Sequence, residues 1–298
     1  MTNLPFLAQR MFNTPLAITP GKAEVVMAAL ADRFGITRLF RVDGNSIDLA
    51  DAAVASQVIA GDSFGGPRDS DRRGYEVIAG VAVIPVQGTL VQKLGTLRPF
   101  SGMTGYDGIR ANLSMALEDD AVRAIVFDID SPGGEVAGLF DLVDAMYDSR
   151  GTKQIDAILS ESAYSAGYAI ASACDKIYVP RTGGTGSVGV ICMHVDFSKA
   201  LTAAGIAVTM IHYGDRKADG HSEIPLTKEA LSRFQADIDS MGELFVDTVA
   251  RNRGMKASAV RATQATTYLG TAGVEIGFAD AVMAPDKAFQ SLLSELDQ

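Results

Sequence analysis

Cysteine and histidine are scarce in this chain, and so are basic side chains and long apolar runs. Two cysteines, Cys174 and Cys192, occur in 298 residues, both in apolar surroundings and without the spacing of metal ligands. That excludes a disulfide framework and a zinc site, and predicts two small core residues and no metal. Three histidines, His194, His212 and His221, leave few choices for an imidazole base. Lysine and arginine number 26 against 36 aspartates and glutamates, a net charge of −10, which argues against a grip on nucleic acid built from clustered cations. No apolar stretch approaches the ~20 residues that span a bilayer. The opening MTNLPFLAQRMFNTPLAITP, punctuated by Pro5, Pro15 and Pro20, lacks the basic-then-apolar order of a signal peptide. A soluble cytoplasmic protein with no membrane contact is the expectation.

What is present is globular: 47% hydrophobic and 21% charged residues, enough to bury a sizeable core. Residues 1–60 carry two helical patterns, Lys22–Phe34 and Ile47–Ile59, and predict a small helical appendage. Gly61–Gly74, GDSFGGPRDSDRRG, has almost nothing apolar and predicts a linker over 61–75, with the main domain at 76–298. From there strand and helix patterns alternate, which predicts an α/β domain with buried strands. The strands are expected at Val77–Val86, Val122–Ile129, Ile155–Ser160, Lys176–Val179, Ser187–Cys192 and Ile206–His212. The helices are expected at Tyr106–Glu118, Glu135–Asp148, Ser165–Cys174, Phe197–Ala204 and Leu226–Arg251.

Four segments have the composition of a site. In IVFDIDSPGGE, Ile125–Glu135, an apolar strand ends in a Pro-Gly-Gly turn whose amides, unshielded by side chains, suit a developing negative charge. In SESAYSAGYAIASAC, Ser160–Cys174, a polar loop runs into a helix of small residues. A helix starting at Ser165 exposes its hydroxyl and puts the Ala166 amide among the unpaired donors of the first turn. GGTGSVGV, Gly183–Val190, is glycine-rich but lacks the lysine and spacing of a phosphate loop. HYGDRKADG, His212–Gly220, is a polar loop carrying Lys217. Taken singly, each is an ordinary turn, helix cap or surface loop.

In this order and spacing the four resemble the signal peptide peptidase A family of serine-lysine proteases, from about Val77 to Ala284. The matching pieces are DSPGG at Asp130–Gly134, AYSAGYAIASACDKIYV at Ala163–Val179, TGSVGV at Thr185–Val190, Gly214 to Lys217, and YLGTAGVEIGFADAV at Tyr268–Val282. Within the family, Met11–Ala23 and Leu90–Ile109 are similar to the branch that matures the heads of lambda-type bacteriophages. The resemblance implies a crotonase/Clp-protease-like fold of repeated strand-strand-helix units. It implies Ser165 as nucleophile, Lys217 as general base, the Gly134 and Ala166 amides as oxyanion hole with Gly133 shaping the turn, and Ser187 holding the lysine amine. It further implies no cofactor, a homo-oligomer, and capsid, portal or scaffold proteins as substrates, met in the host cytoplasm or inside the immature capsid.

A lysine base must be neutral, so its pKa must fall from ~10.4 to ~7–8, a bias of roughly 4 kcal/mol that burial supplies. Asp215 and Asp219 oppose that shift unless they face outward or pair with Arg216. The competing readings are a Clp-like Ser/His/Asp peptidase using His194, an acyl-CoA enzyme of the same fold, and a non-catalytic capsid-assembly module.

Overall fold

A computed structural model describes residues 12–26, the backbone of 38–40 and 46–48, and residues 73–298. Near the N-terminus, strand β1 (Leu16–Ile18) is followed by a helical segment at 20–26, and β2 (Arg38–Phe40) pairs antiparallel with β3 (Ser46–Asp48). The helix expected over Lys22–Phe34 is thus helical as far as residue 26, and 27–34 lie outside the described residues. Of the helix expected over Ile47–Ile59, Ile47 and Asp48 are strand, and 49–59 lie outside.

The main domain opens with β4 (Glu76–Ile78) and β5 (Val81–Gln87), which form a hairpin. β6 (Thr89–Val91), β7 (Met103–Gly105) and helix α1 (Tyr106–Glu118) follow. The pattern repeats with β8 (Ala124–Ser131), β9 (Gly133–Glu135) and α2 (Leu139–Asp148). In each repeat the first strand joins an eight-stranded sheet and the second a four-stranded one, ordered β1-β9-β6-β7. This is the α/β domain that the alternating pattern predicts, built of the strand-strand-helix units that the resemblance implies.

Next come β10 (Gln154–Tyr164), α3 (Ala166–Ser172), β11 (Lys176–Val179), β12 (Gly184–Gly186) and α4 (Ser198–Ala203). The chain then runs through α5 (Lys228–Arg253), α6 (Ala257–Ala262), β13 (Thr267–Leu269), α7 (Gly270–Glu275), β14 (Ala281–Val282) and α8 (Pro285–Leu296). β5, β8 and β10 run parallel at the centre. Their side chains alternate between two apolar faces, so both faces are buried, as parallel strands require. Ile125, Phe127 and Ile129 enter the main core under α1, α2, α3 and α5. Ala124 and Val126 face the opposite side, where Ala288 and Leu292 of α8 cover them.

The long helix α5 is capped at both ends. Thr227 Oγ1 accepts the Ala230 amide at 3.1 Å, and Gly254, at φ 63°, terminates α5 in the left-handed conformation. The helix expected from Glu135 starts instead at Leu139, because Gly133–Glu135 are drawn into the second sheet and Gly138 turns the chain at φ 78°.

One central-strand residue carries a pH dependence. Asp156 of β10 is fully buried, takes one bond from Gln154 Nε2 at 3.1 Å, and leaves its other oxygen unpaired. Burial pushes its carboxyl up to about 7, against the pull of Lys176. Between pH ~4 and ~7 the folded chain therefore keeps a proton that the unfolded chain has released, so stability falls as pH rises through that window. Asp156→Asn is expected to remove this slope and to stabilise the fold at pH 8 by up to about 4 kcal/mol. Thermal melts of both proteins at pH 5 and pH 8 check this, and an unchanged difference between them at the two pH values counts against it.

Candidate active site

The site forms where β10 changes neighbours. Asp156–Ile158 pair with β11, whereas Ser162–Tyr164 pair with β12, and the register shifts between Leu159 and Ala163. Beyond the bulge the strand feeds directly into α3 through Ser165, whose backbone sits at φ 53° and ψ −117°. A non-glycine residue there costs about 1–3 kcal/mol and persists only where its surroundings hold it. Here the Ser165 amide donates to Gly186 O at 2.8 Å and its carbonyl accepts from Ala169 N at 2.9 Å. The side chain is buried at the helix N-terminus, its hydroxyl 3.4 Å from Gly189 O. Ala166 is the first residue of α3, so its amide is among the donors that the helix itself leaves unpaired.

The opposite wall is the Pro-Gly-Gly turn. Ser131 Oγ donates to Gly88 O at 2.7 Å and accepts the Gly133 amide at 3.1 Å. That commits the Gly133 amide and leaves Gly133, at φ 104°, as the shaper of the turn. A methyl group on Gly133 would lie 3.0 Å from Ser165 Cβ and would strike the Ala17 carbonyl oxygen; one on Gly134 would strike Leu90. Only glycine permits this approach.

The far end of α3 is held by Arg150. Its guanidinium donates to Ala173 O at 2.8 Å and Ser172 O at 2.9 Å, to Cys174 O, and to Asn252 O of α5 at 3.2 Å. A cation on the terminal carbonyls of a helix satisfies them and suits its dipole. No motif in the sequence points to this arginine, which lies between the end of α2 and the start of β10.

The expected site residues fall into two groups. Ser165, Ala166, Gly133 and Gly134 converge. Ser187 is buried nearby at φ 57°, its amide bonded to Thr266 O at 3.0 Å. Lys217 is exposed, in a turn closed by its own amide on Gly214 O at 3.0 Å. Asp219 pairs with Arg233 of α5 rather than with Arg216. Ser187–Cys192 and Ile206–His212, expected as strands, are not strands. The positive φ at Ser187 turns the first out of the sheet: Ser187 is held by Thr266 O, Val188 enters the main core, and Ile191 makes an isolated bridge to Leu16. The second finds no strand to pair with among the described residues, and Ile206, Val208, Ile211 and Tyr213 face outward, the last two almost fully exposed at 94% and 101%.

His194 lies on the segment after Ile191. Its Nδ1 is 3.0 Å from Asn13 Oδ1, while Nε2 is buried without a partner. The hollow beneath α4, about 670 Å³ and lined by residues such as Leu201, Ile206, Val208 and Ile224, contains none of the expected site residues.

Comparison with known proteins decides the family. Residues 148–298 match the model of peptidase family S49, and the whole chain is 37% identical to the capsid assembly protease C of Escherichia phage lambda, covering 67% of that protein. The chain belongs to peptidase family S49. Its class is therefore the serine peptidase class that the sequence predicts. A second phage relative, the head-tail preconnector protein GP5 of Enterobacteria phage P21, is 37% identical over 99% of this chain and 58% of its own length. The chloroplastic serine protease SPPA of Arabidopsis thaliana is 25% identical over 68% of this chain and 30% of its own. The chain thus spans roughly three-fifths to two-thirds of the two phage relatives. Among solved structures, a ClpP1 mutant from Listeria monocytogenes aligns over 67% of this chain and 90% of its own with a TM-score of 0.42 and 12% identity; the fold class stated above rests on the strand order itself. The S49 model begins at residue 148, so Gly133, Gly134 and β1 lie upstream of the matched part. Among the described residues no helix is long and apolar enough to cross a membrane.

Proposed function

We propose that this S49 chain is a serine endopeptidase that processes capsid, portal or scaffold proteins during phage head assembly, in the host cytoplasm or within the immature capsid. The observation that carries the proposal is the strained, buried Ser165 at the start of α3, facing the Gly133-Gly134 turn. Ser165 Oγ attacks the substrate carbonyl, and the amides of Gly134 and Ala166 receive the developing negative charge, each well-placed donor contributing roughly 3 kcal/mol. The Ser165 proton passes to the neutral amine of Lys217, which then protonates the leaving amine; water hydrolyses the acyl-enzyme by the same route. Ser187, adjoining the site, holds the lysine amine. The names of the two phage relatives support the choice of head proteins as substrates.

Lys217 meets the need for desolvation in a homo-oligomer, in which a second copy covers it. The apolar, outward-facing residues Ile206, Val208, Ile211 and Tyr213, just before the lysine, favour that arrangement.

A second reading has one observation in its favour: His194, oriented by Asn13 and with Nε2 unpaired, has the form of an imidazole base. The two readings separate by pH and substitution. A lysine base predicts a rate still rising between pH ~7 and ~9, with His194→Ala keeping most of the activity; a histidine base predicts a plateau above pH ~7 and a dead His194→Ala. Mass spectrometry of fragments after co-expression with neighbouring head proteins supplies the substrate, and the pH profile is then measured on it. A profile flat above pH 7 with an inactive, folded His194→Ala replaces the lysine by the histidine.

A further inference from the structure

β1 is three residues long and carries none of the expected site residues, yet it lies directly across the site. It pairs with β9 on one edge and makes an isolated bridge to Ile191 on the other, alternating its hydrogen bonds between the two. On one side, Val136 N donates to Pro15 O at 3.4 Å and Thr19 N donates to Pro132 O at 3.0 Å. The register between those bonds pairs Ala17 with Gly134, and the alternation of an antiparallel ladder makes that a hydrogen-bonding pair. The Gly134 amide therefore faces the Ala17 carbonyl. On the other side, Leu16 and Ile191 exchange two amide-carbonyl bonds of 2.8 Å, and Asn13 N donates to Met193 O at 2.9 Å.

Ser165 sits between these two edges, its hydroxyl toward Gly189 O on the one and its Cβ against Gly133 on the other. The space beside Gly133 is shared by Ser165 Cβ, the Ala17 carbonyl oxygen and Ile18 Cα. The Ala17 carbonyl and the peptide bond that follows it thus lie beside Ser165. Side chains follow the alternation: Ala17 is fully buried and enters the main core, whereas Leu16 and Ile18 pack with Ala23, Ile191 and Met193 in a separate cluster. Asn13 fastens the end of the segment, its Nδ2 donating to Gly220 O at 2.8 Å on the loop that carries Lys217, its Oδ1 against His194.

An extended peptide binds a protease by adding a strand to an open edge, with pockets for alternate side chains. We propose that residues 13–19 fill this chain's own peptide-binding cleft as a substrate-like strand, that protein substrates are extended segments which must displace it, and that the pocket under Ala17 selects an alanine-sized side chain on the acyl side of the scissile bond. This rests on the reading of Ser165 as nucleophile. With the strand in place, Ser165 is 1% exposed, so the enzyme is latent; displacement opens both edges at once. Apparent affinity for a substrate is then reduced by the small fraction of molecules in which the cleft is vacant.

The test locks the strand reversibly in the full chain. Leu16→Cys with Ile191→Cys, in a Cys192→Ala background, places two thiols on directly opposed residues of an antiparallel pair, within reach of a disulfide. Two probes are applied to the oxidised and reduced protein: a serine-directed fluorophosphonate, and a fluorescent peptide with the sequence of residues 13–19, NTPLAIT. The expected result is labelling of Ser165 at least about tenfold faster after reduction, peptide binding to the reduced form alone, and about tenfold weaker binding when phenylalanine replaces the peptide's alanine. Equal labelling in both states, or binding indifferent to the disulfide, overturns the proposal. Absence of labelling in both states, with peptide binding still controlled by the disulfide, removes Ser165 as nucleophile and leaves the occupied cleft standing.

Discussion

Ser165→Ala is expected to lower peptide cleavage on the order of 10⁴-fold or more while leaving the melting temperature within a few degrees of the parent. The large effect follows from the position of the hydroxyl, at a helix N-terminus and opposite the Gly133-Gly134 turn. The small effect follows from its bonding: its one hydrogen bond, to Gly189 O, is 3.4 Å long and contributes little to the fold. The strained backbone is held by the amide and carbonyl of residue 165, which alanine keeps. Cleavage of a co-expressed head protein, measured beside a thermal melt, tests both halves. A folded variant that still cuts at the parent rate removes Ser165 from the chemistry.

Chains carrying Lys217→Met are expected to be as inactive as those carrying Ser165→Ala, and mixtures of the two are expected to recover activity. A single chain leaves Lys217 exposed, whereas a lysine that acts as a base at neutral pH must be desolvated. On the proposed reading a neighbouring copy would supply the missing cover, pairing the serine of one chain with the lysine of the next. In a randomly mixed ring of equal parts, an intact serine then meets an intact lysine at about one interface in four, so recovery approaches a quarter of the parent rate. The measurement is cleavage by co-expressed variants whose mixed assembly is verified by native mass spectrometry. Verified mixed oligomers without activity place the base in the same chain as its serine.

Local chemistry was legible in the sequence and long-range pairing was not. Tyr106–Glu118 and Lys176–Val179 are found with the bounds their apolar periodicity predicts, because each buries one face or run against a core that tolerates little else. The Pro-Gly-Gly turn and the serine at a helix start were likewise readable, since φ above zero and close backbone approach restrict which residues fit. Ser187–Cys192 and Ile206–His212 have strand composition, but a strand also needs a partner edge, and composition does not report one. Leu16–Ile18 is the reverse case: three residues are too few to show a period, and their pairing with Gly133–Glu135 joins segments more than a hundred residues apart. The expected pairing of Lys217 with Ser165 rests on resemblance alone, since nothing local to the loop says what covers it.

The order in which the chain is synthesised gives the edge beyond β10 a further meaning. Gly184–Gly186, which holds the Ser165 amide, is itself paired on its outer side with Thr267–Leu269, and Ser187 is held by Thr266. A growing chain therefore exposes DSPGG and the serine long before the wall that positions them exists. Synthesis must pass residue 269, and the ribosomal tunnel must release it, before Ser165 has its final neighbours. Residues 266–269 therefore act as a checkpoint in folding: until they dock, the Gly184–Gly186 edge that holds the Ser165 amide has an open outer side.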